Sequence, residues 1–386
     1  MNQGGGQMPR RTTVKQGRTL VELAQEIERQ REAAHDYKAP TQQLTLTAVA
    51  EETDAKRKLQ LKLNGKGQFG LTPLAHDQIG QHTGIPSKYY DRMAEEAPEL
   101  LVKNVNHWLT NNPTTRLVRT MDGQVRAFLS NRYRTIDNWQ VAEAILPTLL
   151  DRGNGLKVES CEVTDTRLYI KVVDPKNEAK IEQVRAENPG SHSRPKEEIV
   201  VQSGIIISNS EVGLHSFKIE PLVFILACYN GAIIPKAGMW RYHIGRHTDE
   251  ADVPFEVFAD DTRQADDRAL ALKMRDTVKS AFDEVSFHQL CKTLSSTTGR
   301  TIERGPESLA ETIEEVYGFT NGTKDGILKE LAQAGDYTQW GLSNAVTAFA
   351  QDKSIDYEQA TELERVGGDI LMLAADEWTR KYGKAA

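Results

Sequence analysis

Two adjacent stretches constrain the fold most. Residues 198–210 (EIVVQSGIIISNS) and 214–234 (LHSFKIEPLVFILACYNGAII) are the most β-prone part of the chain, joined by a polar loop at Glu211–Gly213. Their apolar density is that of strands covered on both faces, so they predict the centre of a buried sheet. LKVESCEVT and RLYIKVVD, either side of an Asp165 turn, supply further strands just upstream. After about Pro254 strand patterns stop. Asp260–Val285 places Leu270, Met274, Val278 and Phe282 at four-residue spacing, and helical patterns follow at 307–318, 323–334, 342–352 and 357–381.

The front of the chain is mixed. Thr19, with Glu22 three residues on, can cap a helix over 19–38 that Pro40 stops. QLTLTAVA and KLQLKLN alternate as two strands, with Lys58, Gln60 and Lys62 on one face and Leu59, Leu61 and Leu63 on the other. Pro73 at a helix start and IPSKYYDRM (85–93) mark a short helical segment, 100–109 gives another, and Asp137 or Asn138 caps a helix at WQVAEAILPTLL. Residues 177–195 are polar without apolar period and read as a helix-like or mobile insert, and 239–247 as a strand. The expectation is an α+β protein: a basic arm over 1–17, a mostly antiparallel β-sheet domain with packed helices over 18–255, and an all-α acidic domain over 256–386.

Charge is unevenly placed. Residues 1–150 carry 20 Lys+Arg against 16 Asp+Glu, whereas 249–386 carry 15 against 27. The densest basic segment is Thr114–Asn138, which holds Arg116, Arg119, Arg126, Arg132 and Arg134 against Asp122 and Asp137. It reads as a hairpin turning at Asp122-Gly123. Guanidinium groups suit phosphate because they offer several donors and keep their charge. Tyr133, between Arg132 and Arg134, could stack a base. The bland alternative makes Tyr133 core, pairs Arg132 with Asp137 and leaves the rest solvated. Lys58, Lys62 and Lys66 form a second basic set ending in GKGQFG, which is not a P-loop because no GxxxxGK[ST] is present. These nine residues are the candidate nucleic-acid contacts.

Other chemistry is thinner. His243 and His247 stand at H-x3-H spacing beside Asp249, but on a strand they lie about 13 Å apart unless the chain turns at Gly245. His76 and His82 are weaker still, so no metal is assigned. No HExxH, GxSxG, kinase set or strand-borne GxGxxG is present, which makes a non-enzyme the expectation and leaves only a scattered carboxylate site for a metal-dependent nuclease. Cys161, Cys228 and Cys291 are far apart and read as reduced thiols of a cytoplasmic protein. The longest apolar run, Leu222–Cys228, is far too short to span a membrane, and no signal peptide is visible.

GIPSKYYDRM (84–93), RAFLSNRYRTIDN (126–138), GIIISNSEVGLHSFKIEPLVFILACYNGAI (204–233), and WGLSNAVTAFAQ with ELERVGGDIL (340–371) resemble an uncharacterised phage- and plasmid-related protein family, domain of unknown function 932. The resemblance implies a bacterial host cell and a mobile element that must copy, repair and recombine its DNA. It carries no accepted activity and no catalytic residue. The front sheet-plus-helix pattern is also similar, at the level of fold, to single-strand annealing proteins of the Rad52 type, which form rings and lay DNA in a basic groove. The expectation is therefore a cofactor-free single-stranded DNA-binding protein, promoting annealing, recombination or DNA maintenance, and a homo-oligomer. The alternative is an interaction protein that engages replication or host factors through 256–386.

Overall fold

The computed structural model describes residues 17–50, 57–133, 135–151, 155–182, 198–215, 217–226, 230–234 and 260–383. The protein is α+β, with two sheets among the described residues, antiparallel but for one strand pair. The first sheet uses β1 (His35–Pro40), β2 (Leu44–Ala50), β3 (Arg57–Leu63), β4 (Gly67–Leu71), β5 (Thr115–Met121) and β6 (Gln124–Ser130) in the order β1-β5-β6-β4-β3-β2. Only Thr41–Gln43 separates β1 from β2, yet these strands form opposite edges of the sheet. A flat sheet would set them about 24 Å apart, whereas four residue steps reach at most about 14 Å. The sheet must therefore curl. The Tyr37 ring on β1 and the Phe69 ring on β4 accordingly meet at 6.1 Å across two intervening strands. Helices α2 (Pro73–Thr83), α3 (Ser87–Glu96) and α4 (Pro98–Asn111) fill the concave side, packing Ile79, Tyr90 and Val105 on Leu46, Leu61 and Phe128.

The second sheet is a meander of β7 (Lys157–Val163), β8 (Leu168–Glu182), β9 (Glu198–Asn209), β10 (Lys218–Ile225) and β11 (Asn230–Ile233). Both faces are covered, as its apolar runs require. On one face α1 (Leu20–Ala33), α5 (Asn138–Leu149) and α6 (Asp260–Ser280) bury Leu23, Ile145 and Met274 against Ile170 and Ile207. Further along that face α7 (Glu284–Ser295) brings Phe287 to Val223 and Ile225, while the other face buries Ile206 and Leu222 against Tyr357. Helices α8 (Pro306–Tyr317), α9 (Asn321–Ala334), α10 (Gln339–Phe349), α11 (Tyr357–Leu371) and α12 (Ala375–Tyr382) share a core of their own. That core is welded to the sheet: Trp340 and Leu371 pack with Val223, and Gly368 lies so close to the Ile233 carbonyl that a Cβ there would come within 1.6 Å. The buried Lys171–Glu364 pair, at 2.6 Å, and Arg365–Glu220, at 2.6 Å, cross the same seam.

Several expectations need correction. The Thr19 capping box forms, but α1 ends at Ala33 and residues 35–40 become β1, because pairing with β5 overrides local helix preference. β8 runs on to Glu182 past a bulge at Asp174/Glu178, so the insert reading of 177–182 fails where β9 offers a ladder. The helix expected over 260–285 stops at Ser280 and restarts at Glu284, and that over 357–381 breaks between Leu371 and Ala375. The basic arm up to residue 16, the strand expected over 239–247 with His243 and His247, and the domain boundary near 255 lie outside the described residues.

Two faces of an arginine hairpin

β5 and β6 form the expected hairpin. Asp122 and Gly123 both adopt positive φ, 51° and 76°, as a two-residue type I′ turn demands. The register shifts between Arg119 and Thr120, whose partners are Ala127 and Val125. Arg126 is thus the extra residue of a bulge, and it stays on the same side as Arg119.

That side meets the second sheet, and it is buried. Arg119 is 2% exposed and satisfies three elements at once. Its Nε donates to Asp36 Oδ1 at 2.9 Å, its Nη2 to Asp137 Oδ1 at 2.6 Å and its Nη1 to the Glu211 carbonyl at 2.8 Å. Burial opposes the charge, but Asp137 and Asp36 outweigh it and hold the guanidinium protonated above its ordinary range. Arg126 Nη1 donates to Glu211 Oε2 at 2.6 Å, while Glu211 Oε1 accepts from the Asn138 amide at 2.5 Å. Asn209, at the end of β9, donates to the Ile136 carbonyl and to Asn138 Oδ1. A cleft of about 250 Å³ opens beside these groups, and at its rim Arg31 stacks over Trp139 at 4.6 Å. The cluster clasps β1, β5, β6, the start of α5 and the loop after β9.

The opposite side of the hairpin carries Arg116. Its guanidinium lies 5.0 Å over the Phe128 ring, and Nη2 donates to the Phe128 carbonyl at 3.1 Å. Nε is buried without a partner, and no carboxylate among the described residues pairs with the group. Burial alone therefore pulls its proton affinity below the ordinary value, with nothing opposing. His82 on α2 packs on the same Phe128 ring at 5.4 Å, and burial, then Arg116, depress its pKa.

The expected contact residues thus do not share one surface. Arg119 and Arg126 are spent on ion pairs, and Arg116 faces the other way. Arg132 is exposed in the turn after β6, its amide donating to Ser130 Oγ at 3.2 Å. Tyr133 packs with Leu117, Leu129 and Val212 and donates its hydroxyl to the Ser210 carbonyl at 3.2 Å, so it belongs to the contact between the sheets rather than to a stacking platform. Arg134 lies outside the described residues. Lys58 and Lys62 are exposed on the face of β3 turned away from the helices, and Lys66 sits in the following turn, 6.0 Å from the Tyr37 ring. The strands β2, β3 and β4 contain no Asp or Glu. Asp36 and Glu211 had no sequence signal as arginine partners, because only the long-range topology brings them to β5 and β6. Among the described residues one group has metal-ligand character: His76, Asp77 and Asp91.

No family model, no curated protein and no solved structure matches this chain.

Proposed function

We propose that the protein binds the phosphate backbone of single-stranded nucleic acid, DNA in the first instance. The observation that carries this reading is Arg116, a half-buried guanidinium with no counter-charge among the described residues. A desolvated cation without a partner is costly, and an anion supplied from outside offsets that cost. Arg116 pairs in register with Ser130, two residues before the exposed Arg132, so a phosphate at the open end of the hairpin meets two guanidiniums. Lys58 and Lys62, about 13 Å apart by strand rise, add charge on the acid-free strands β3 and β4. With Tyr133 committed to the core, contacts fall on phosphate rather than on bases, and binding is tolerant of sequence.

The test is fluorescence anisotropy with a labelled single-stranded oligonucleotide at low and near-physiological salt, with a duplex control. Salt-sensitive binding that favours the single strand and weakens in Arg116→Ala supports the reading. Absence of binding at low salt overturns it and turns attention to the interaction reading, through those faces of α8, α9 and α12 that point away from their shared core.

A further inference from the structure

α2 and α3 are held in fixed relation. The Tyr90 ring wedges against Gly80, where a Cβ would come within 3.2 Å of it, and meets the His76 imidazole edge-on at 4.4 Å. The Ile85 amide donates to the Gly80 carbonyl at 3.2 Å and closes the turn between the helices. This packing brings side chains of two helices to one spot. His76 Nε2 lies 3.1 Å from Asp91 Oδ1, and donor atoms of His76, Asp77 and Asp91 all fall within 4.8 Å of one another. Adjacent ligands on an ion with bonds of about 2.1 Å stand about 3 Å apart, so the histidine and Asp91 already have that spacing. Asp77 and Asp91 are exposed and free to close the remainder.

A second observation concerns Tyr90 itself. It is 1% exposed, and its hydroxyl has no hydrogen-bond partner among the described residues. The ring that seats His76 is therefore held by packing alone, so loss of the hydroxyl leaves the cluster in place.

We propose that His76, Asp77 and Asp91 bind a divalent first-row transition-metal ion, with water in the remaining positions. One imidazole and two carboxylates suit Mn²⁺, Co²⁺ or Zn²⁺, whereas Mg²⁺ favours oxygen alone. This site does not depend on the nucleic-acid reading.

The test uses the full chain, stripped with chelator and titrated calorimetrically with Mn²⁺, Zn²⁺ and Mg²⁺ separately; Co²⁺ is followed by its visible absorption. The expected result is one equivalent of transition ion, weakened at least tenfold in Asp91→Asn and in His76→Ala, and indifferent to a Mg²⁺ background. Asp91 is exposed, so its variant keeps the test sound if His76→Ala loses packing on Tyr90; thermal unfolding without metal verifies both. Tyr90→Phe, which removes no ligand, retains the ion. Absence of binding at millimolar metal, or binding unchanged in folded Asp91→Asn, overturns the proposal.

Discussion

Arg119 and Arg116 stand three residues apart on one strand, and the fold gives them opposite fates. Arg119 is enclosed by Asp36, Asp137 and the Glu211 carbonyl, and its charge is fully answered. Arg116, on the other side of the same hairpin, is half withdrawn from water against the Phe128 ring and carbonyl, with no carboxylate partner among the described residues. A buried cation with partners is a structural fastener; one without them carries a desolvation cost that no neighbour offsets. What separates them is not residue type or local sequence but which remote segments the topology delivers to each face. β1 and the loop after β9 arrive at one face, and α2 arrives at the other.

The largest effect that can break this contrast is on stability. Arg119→Ala leaves Asp36 and Asp137 without their shared cation and should cost about 3–5 kcal/mol. Chemical denaturation measures it, and a loss below about 1 kcal/mol would show that the cluster fastens nothing. Arg116→Ala should leave stability within about 0.5 kcal/mol of the parent, since it removes a charge that no group compensates. Its effect belongs to binding instead: single-strand affinity should fall about tenfold, or about 1.4 kcal/mol. Equal destabilisation by the two substitutions would erase the distinction between the faces.

The sequence made some of this legible. The type I′ turn at Asp122-Gly123 was readable because that turn demands positive φ at both positions. So were the Thr19 capping box and the Pro73 start of α2, where local hydrogen bonding decides the outcome. The double-sided burial of β9 and β10 followed from unbroken apolar runs. What could not be read was remote. HDYKAP has no alternation of its own and becomes β1 only because β5 stands beside it. The surroundings of Arg116 depended on a bulge of one residue at Arg119/Thr120, which turns Phe128 to its side of the hairpin. Strict pairing from the hairpin turn also sets Arg126 opposite Arg119 on one face, but it would put Phe128 on that face too rather than under Arg116. Glu211, in a loop that read as polar, is 7% exposed because two arginine-bearing strands close over it.

Smaller effects sharpen the comparison on the exposed side. Lys58→Ala and Lys62→Ala should each weaken binding a few-fold across all sequences and flatten the salt dependence by about one counterion apiece. Neither should alter stability. Anisotropy across a salt series reads this directly, and an unchanged slope in the double variant would remove β3 from the contact surface while leaving Arg116 in it.

The smallest effect is a titration. His82 shares the Phe128 ring with Arg116, and burial, then the Arg116 charge, depress its pKa below the ordinary 6.5. On acidification the unfolded chain takes up this proton first. The stabilising contribution is therefore complete above 6.5 and is lost as pH falls through the lower folded value. Arg116→Ala should raise the His82 pKa while leaving the share due to burial, and phosphate seated at Arg116 should raise it in the parent protein as well. NMR titration of the His82 imidazole measures both. A pKa that responds to Arg116→Ala but not to phosphate would mean the guanidinium is unanswered in the folded chain and yet takes no anion, which would leave its cost unexplained by binding.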